Sequence, residues 1–194
     1  MKRSGRWFAA VAAAVVAVTL AGCRAANASG GTPQPAGSPS AAASPGPSGP
    51  AALAGGACLL MDYATIREDL GVQFSVAAAA DTSGSYTCLL RTATTNLPDL
   101  VLSITATDLT SAEFLANVQP SGATKVTELG KVGYVQQVAG SSGTGPAVEV
   151  GWLSGNDRLI TLRYTSGQGT AAADIAAMAT NMVTLARHVD ATTV

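Results

Sequence analysis

Few side chains in this sequence could perform acid–base or nucleophilic chemistry. The chain has a single histidine, His188, and three cysteines, Cys23, Cys58 and Cys88. A catalytic triad, a Cys–His pair or a histidine-containing zinc site needs partners that these residues do not supply. His188 falls near the end of the last predicted helix, where the helix dipole favours a cation. We therefore predict no catalytic residue, no metal site and no cofactor, and we expect that the protein is not an enzyme.

Cys23 stands at the end of an apolar N-terminal run. A basic start is followed by a hydrophobic stretch at 7–20, shorter than the roughly 20 residues that cross a bilayer. The run ends in Leu20-Ala21-Gly22-Cys23, which resembles the lipobox of bacterial lipoproteins. The resemblance implies a signal peptide at 1–22 and lipidation of Cys23, with the chain anchored on the extracytoplasmic face of the cell membrane. The alternative is a plain secretory signal, or an uncleaved anchor, with a free Cys23.

The chain becomes acidic once its signal peptide is removed. Without the three basic residues of that segment, eight basic and twelve acidic residues remain, a formal charge of −4. No cluster of Lys or Arg is left, so we do not expect binding to nucleic acid or to anionic headgroups. The partners that we expect are the membrane, through the lipid on Cys23, and either an envelope protein or an apolar ligand.

A low-complexity segment follows Cys23. Residues 24–56 consist almost wholly of Ala, Gly, Ser and Pro and hold six of the nine prolines. Without periodic apolar residues, such a segment cannot offset its ordering entropy by burial. We predict that residues 23–56 form a lipidated, disordered tether that reaches on the order of 30 Å. The alternative, a Pro-rich recognition segment, lacks basic or aromatic anchors. A single globular domain is predicted at 57–194.

Cys58 and Cys88 remain as an even pair in an exported domain, where a disulfide is the default. They lie 30 positions apart, which is not the Cys-X-X-Cys spacing of redox sites. Two thiols without a nearby histidine also fall short of a zinc site. We therefore predict a structural disulfide between Cys58 and Cys88.

Alternating apolar residues predict several strands. The clearest pair is 147–153 and 158–165, which flank the turn-forming residues Ser154-Gly155-Asn156-Asp157 and predict a hairpin. Further strands are predicted at 84–92 and 100–107, and the segment 126–138 is predicted to hold one or two strands.

Helix signals lie between and after these strands. Asp62 and Gly71 suit the two ends of a short helix at 63–70, and the capping box Thr110–Glu113 predicts another that ends near Val118. A C-terminal helix is predicted from Thr170, because apolar residues recur at spacings of three and four. Its apolar stripe comprises Ile175, Met178, Met182, Leu185 and Val189. The predicted class is α+β: an antiparallel β-sheet with short helices and a C-terminal helix packed on it, and one disulfide.

Short motifs across the domain resemble a group of actinobacterial lipoproteins defined only by a domain of unknown function. The motifs are Cys58-Leu59-Leu60, a helix ending in Leu70-Gly71, the strand residue Cys88, and Leu129-Gly130. In that group, a lipobox and a Ser/Pro/Ala-rich tether precede a two-cysteine domain that opens Cys-x-Leu-Leu and closes with a helix. Here Leu89 stands where the group has an aromatic residue. The resemblance implies an antiparallel α+β domain and no known activity.

Three hypotheses about function remain open. We prefer a non-catalytic interaction module, because a long tether provides reach. The alternative is a carrier or sensor for a lipid or other apolar molecule, with a pocket between the sheet and the last helix at Met178, Met182, Ile160 and Leu162, although core packing also explains these methionines. A hydrolase would need a cluster of acidic and nucleophilic residues, and the sequence offers none.

Overall fold

The computed structural model describes residues 51–193, with the side chains of residues 52 and 53 excepted. The predicted signal peptide, Cys23 and most of the predicted tether lie outside these residues. The described chain begins with two 3₁₀ helices, Ala51–Ala54 and Gly56–Leu60. Ala51 is buried in the core, because it packs with the apolar side chains of the domain. Helical structure and core packing therefore extend to residue 51, six residues before the predicted start of the domain.

Seven strands form one antiparallel sheet. They are β1 (Val76–Thr82), β2 (Ser85–Arg91), β3 (Asp99–Ala106), β4 (Thr124–Val126), β5 (Val132–Val138), β6 (Ala147–Leu153) and β7 (Arg158–Thr165). Their order across the sheet is β1-β2-β3-β7-β6-β5-β4, with every neighbouring pair antiparallel. The predicted hairpin of β6 and β7 is confirmed, as are the strands predicted around β2 and β3, and the segment 126–138 holds β5 and the last residue of β4. Strand β1 was not predicted.

Three helices accompany the sheet. They are α1 (Tyr63–Leu70), the short α2 (Ser111–Glu113) and the C-terminal α3 (Ala172–Thr192). The predicted caps are confirmed: Asp62 accepts a hydrogen bond from the Thr65 amide at 2.9 Å, and Thr110 with Glu113 forms a capping box. α2 differs from the prediction after one turn, because Phe114–Val118 continues it as a π-helical turn. Within residues 51–193, no helix has the length and apolarity needed to span a bilayer.

The core lies between one face of the sheet and the helices α1 and α3, and we call this side the helix face. Alternate residues of the strands point into it and pack with Ile66, Leu70 and the buried stripe of α3. The disulfide between Cys58 and Cys88, which is confirmed, joins the second 3₁₀ helix to β2 within this core. The α+β class, with the C-terminal helix packed on the sheet, is therefore confirmed.

The opposite side of the sheet is here called the open face, and one end of it is covered. There Phe114 packs with Val132, Tyr134 and Leu153 in a second, smaller apolar cluster. The strand register places Leu89, Val101, Arg163, Glu149 and Gln136 in one row across the rest of this face. The residues that this row takes from β2 and β3 are apolar, whereas those from β7, β6 and β5 are polar.

Candidate functional site

A polar cluster on strands β5, β6 and β7 is centred on the carboxylate of Glu149. Oε1 accepts hydrogen bonds from the Tyr134 hydroxyl at 2.9 Å and from the Gln136 amide at 3.0 Å. Oε2 accepts one from Nη1 of Arg163, also at 3.0 Å. Glu149 lies directly opposite both Gln136 and Arg163 in the ladders of its two neighbouring strands. Three strands therefore have to pair in one register for this cluster to form.

Tyr134 reaches Glu149 because Gly151 leaves room for its ring. A Cβ atom at position 151 would lie 2.6 Å from ring atoms of Tyr134, so no larger residue fits there without movement. The Phe114 ring, whose centroid is 5.9 Å from that of Tyr134, closes the other side. Burial, and secondarily the charge of Glu149, raises the pKa of the Tyr134 phenol. The phenol therefore acts as a fixed hydrogen-bond donor and not as an acid near neutral pH.

Arg163 is the most accessible charged group of the cluster. Its side chain is 41% exposed, whereas the side chain of Glu149 is 19% exposed. A guanidinium has five N–H donors, and the contact with Glu149 engages Nη1. The remaining donors face the open side of the sheet and suit a carboxylate or carbonyl oxygen of a partner. Because Glu149 is engaged by three donors, the arrangement fits recognition better than proton transfer.

The surface beside the cluster is flat and carries small side chains. Thr87, Ser103 and Thr161 form the neighbouring row of the open face, and all three are partly buried. Leu89 and Val101 extend the apolar half. Small hydroxyl and aliphatic groups around one arginine can contact a protein surface closely, with Arg163 as the polar anchor.

A groove lies at the sheet edge beside the cluster. β4 pairs only with Gly133–Val135, so the later residues of β5 have no strand on that side within residues 51–193. The groove has a volume of about 270 Å³ and is lined by Gly122, Thr124, Val135, Gln136, Gln137 and Ala179. None of these side chains is charged. Gln136 belongs to both the groove and the Glu149 cluster.

The residues predicted to form an apolar pocket lie in the core. Ile160, Leu162 and Met182 have no exposed surface, and Met178 is partly buried against the same cluster. The structure thus brings the four side chains to one side of the sheet, as part of the packing between sheet and α3. The groove described above is lined by other residues.

His188 has a partner that the sequence did not indicate. A hydrogen bond of 2.8 Å joins its Nδ1 to Oδ2 of Asp69 on α1. The Asp69 side chain is 7% exposed and that of His188 is 54% exposed. The pair connects the ends of α1 and α3 on the surface.

The Glu149 cluster was also missed in the sequence. The signal was present, because Tyr134 and Gln136 are two positions apart in a predicted strand region, and Glu149 and Arg163 occupy the two strands of the predicted hairpin. The alternation of apolar residues indicates that Glu149 and Arg163 lie away from the core, but their pairing with each other needs the register.

Comparisons with known proteins do not assign this chain to a family. No protein-family model matches the chain, and no curated protein matches it. A solved structure of a protein from Bacteroides thetaiotaomicron VPI-5482 is similar over 55% of this chain, with 17% sequence identity and a TM-score of 0.31. The matched region spans 41% of that protein's chain.

Proposed function

We propose that this protein is a lipid-anchored, extracytoplasmic interaction module that binds an envelope protein through its open face. The lipobox-like sequence before Cys23 and the Ala/Gly/Ser/Pro-rich segment after it support the anchor and the tether. The disulfide between Cys58 and Cys88 is consistent with an oxidising compartment outside the cytoplasm.

The binding proposal rests on one observation: the core covers one face of the sheet, and the other face presents polar and small side chains. The helix face is filled by the core, whereas the open face presents Arg163 beside small, partly buried side chains such as Ser103 and Thr161. A protein partner whose acidic or carbonyl groups meet Arg163 would bury this surface. Arg163 is ion-paired with Glu149 at 3.0 Å, and its side chain, 41% exposed, lies beside the uncharged Val101 and Thr161 on this face.

A second candidate function, a carrier or sensor for a small apolar molecule, rests on the groove beside β5. Its walls include Val135 and Ala179, and its volume of about 270 Å³ would hold a small ligand. The groove, and not the four core residues of the predicted pocket, is the place that this function would use.

Photo-crosslinking in the native envelope tests the interaction module. A photoreactive side chain at Thr161 of the full-length chain should give a discrete adduct with another envelope protein. The same side chain at Ala176, an exposed position on α3, serves as the matched control and should give no such adduct. Arg163→Ala should reduce the yield at Thr161 several-fold. Equal adducts at both positions, or an adduct at Ala176 alone, would contradict the proposal.

Native mass spectrometry of the gently purified full-length chain tests the carrier function. A bound small molecule should be detected in the wild type and lost in Thr124→Trp, which fills the groove. Thr127→Trp, at an exposed position just beyond β4, should keep it. An unliganded mass in all three proteins would count against the carrier.

A further inference from the structure

Strand β1 forms the longer of the two sheet edges. All seven residues of Val76–Thr82 pair with β2, and within residues 51–193 no strand lies on the other side of β1. The opposite edge is β4, which has only three residues. A free strand edge presents unpaired N–H and C=O groups that can pair with another strand.

The hairpin turn determines which backbone groups of β1 face outward. Ser83 and Gly84 link β1 to β2, and both have positive φ angles, 52° and 79°, as a two-residue turn of this kind requires. Thr82 and Ser85 are the closing pair of this hairpin and exchange hydrogen bonds. Because bonding alternates along an antiparallel ladder, the N–H and C=O groups of Ala77, Ala79 and Asp81 point away from β2.

Lysine, proline and β-bulges, three features that often block strand pairing, are absent from this edge strand. Its sequence, Val-Ala-Ala-Ala-Ala-Asp-Thr, contains no lysine and no proline, and its pairing with β2 is continuous without a bulge. Every residue except Ala77 is exposed, so the edge is accessible to a partner. The disulfide also fixes the part of β2 that pairs with the centre of β1, because Ala79 lies opposite Cys88.

We propose that β1 pairs with β1 of a second copy of this chain, antiparallel and about a two-fold axis at Ala79. Ala79 then faces Ala79 of the second copy, and Ala77 faces Asp81 of the second copy on each side of the axis. Each of these facing pairs exchanges two N–H···O bonds, since all three residues point their backbone groups outward. The two sheets become one continuous sheet.

The charges on β1 agree with this register. Asp81 is the only charged residue of the strand, and it faces an alanine. The two Asp81 residues are offset by four positions, about 13 Å along the strand, so no like charges lie opposite each other. The remaining facing side chains are small, which lets the two backbones approach. The interface is self-complementary, so pairing ends at a dimer.

Cysteine crosslinking in the membranes of the native host tests the dimer and its register. Two differently tagged full-length chains, Ala78→Cys and Ala80→Cys, are expressed together and oxidised. In the proposed register, position 78 faces position 80 of the second copy as a non-hydrogen-bonded pair, with Cα atoms about 4.5 Å apart, which suits a disulfide. Each variant alone places its cysteines on a diagonal, about 7–8 Å apart, and should crosslink poorly. Ser121→Cys, at an exposed position before β4, is the control.

A fourth substitution, in β1 itself, distinguishes edge pairing from random collision. Ala79→Pro removes an outward N–H but no bond to β2, and proline is tolerated on edge strands in this orientation. It should lower the yield of the mixed dimer roughly tenfold or more. The proposal is overturned if no mixed dimer forms, if single-cysteine chains crosslink equally well, or if Ala79→Pro leaves the yield unchanged.

Discussion

Single side chains join distant parts of this domain. The carboxylate of Asp190, near the end of α3, accepts hydrogen bonds from Nε1 of Trp152 at 2.9 Å and from the Gly130 amide at 3.0 Å. Trp152 is fully buried, so its indole N–H has no access to water. Asp190 therefore satisfies a core donor and holds the loop before β5 against the helix.

Asp190→Ala is expected to destabilise the domain. It leaves the buried Trp152 N–H without an acceptor, and a lost hydrogen bond to a charged group costs roughly 1–3 kcal/mol of unfolding free energy. Denaturant unfolding of the full-length chain measures the change. Asp108→Ala, at an exposed position, is the control and should shift the unfolding free energy by less than about 0.5 kcal/mol. Equal stability of the two variants would refute this role of Asp190.

The raised pKa of Tyr134 makes the unfolding free energy depend on pH in the alkaline range. Burial and Glu149 raise the pKa of the Tyr134 phenol in the folded protein, so above about pH 10 the unfolded chain releases a proton that the folded chain keeps. The unfolding free energy then falls as pH rises, by up to about 1.4 kcal/mol per pH unit for one such group.

The unfolding free energy of Tyr134→Phe should therefore fall less steeply than that of the wild type between pH 9 and pH 11. At pH 7 the variant should be less stable than the wild type, because it lacks the hydrogen bond to Glu149. Tyr164, whose pKa burial also raises, is present in both proteins, so the difference isolates Tyr134. Parallel unfolding curves for the two proteins across this range would contradict the assignment.

Local residue roles were predictable and long-range ones were not. Asp62 and the Thr110–Glu113 box act within three residues of themselves, and the sequence indicated both. The pairs His188–Asp69 and Trp152–Asp190 join residues 119 and 38 positions apart. No local pattern encodes such contacts, because they depend on how α3 docks on the sheet.

Among the elements, the strands with clear alternation were predicted and the alanine strand was not. β6 and β7 carry large apolar residues at alternate positions on either side of a turn, which identifies a hairpin. β1 has four consecutive alanines, which favour strands only weakly and show no alternation. It becomes a strand because the Ser83–Gly84 turn brings it beside β2.

The partner of Glu149 across the β6–β7 hairpin depended on a single residue of register. The turn residues predicted for the β6–β7 hairpin ended at Asp157, which would pair Leu153 with Arg158. The structure instead pairs Leu153 with Leu159. A shift of one residue changes which side chains lie opposite each other and would place Glu149 opposite Leu162, so the Glu149–Arg163 contact could not be derived from the strand limits.

The disulfide supports the 3₁₀ helix and β2 as elements of the core. Removing both cysteines, Cys58→Ala with Cys88→Ala, should lower the unfolding free energy by about 2–4 kcal/mol, because the crosslink restricts the unfolded chain. Denaturant unfolding measures the loss. Leu59→Ala, at a neighbouring residue that is 66% exposed, should have little effect. An unchanged midpoint in the double variant would show that the bond does not stabilise the domain.

At the scale of the whole molecule, the proposal assigns one task to each part. The N-terminal segment anchors and provides reach, the helix face stabilises the domain, and the open face and the β1 edge remain for contacts with partners. The proposed anchor and the proposed envelope partner both require that the chain is processed at Cys23 and held outside the cytoplasm.

The mass of the N-terminal peptide of the protein from its own host is the most direct test of this account. We predict a peptide that begins at Cys23 and carries a diacylglyceryl group, and a Cys23→Ser chain that loses this mass and its association with membranes. A mature chain that begins elsewhere, with an unmodified cysteine at position 23, would contradict the anchored module.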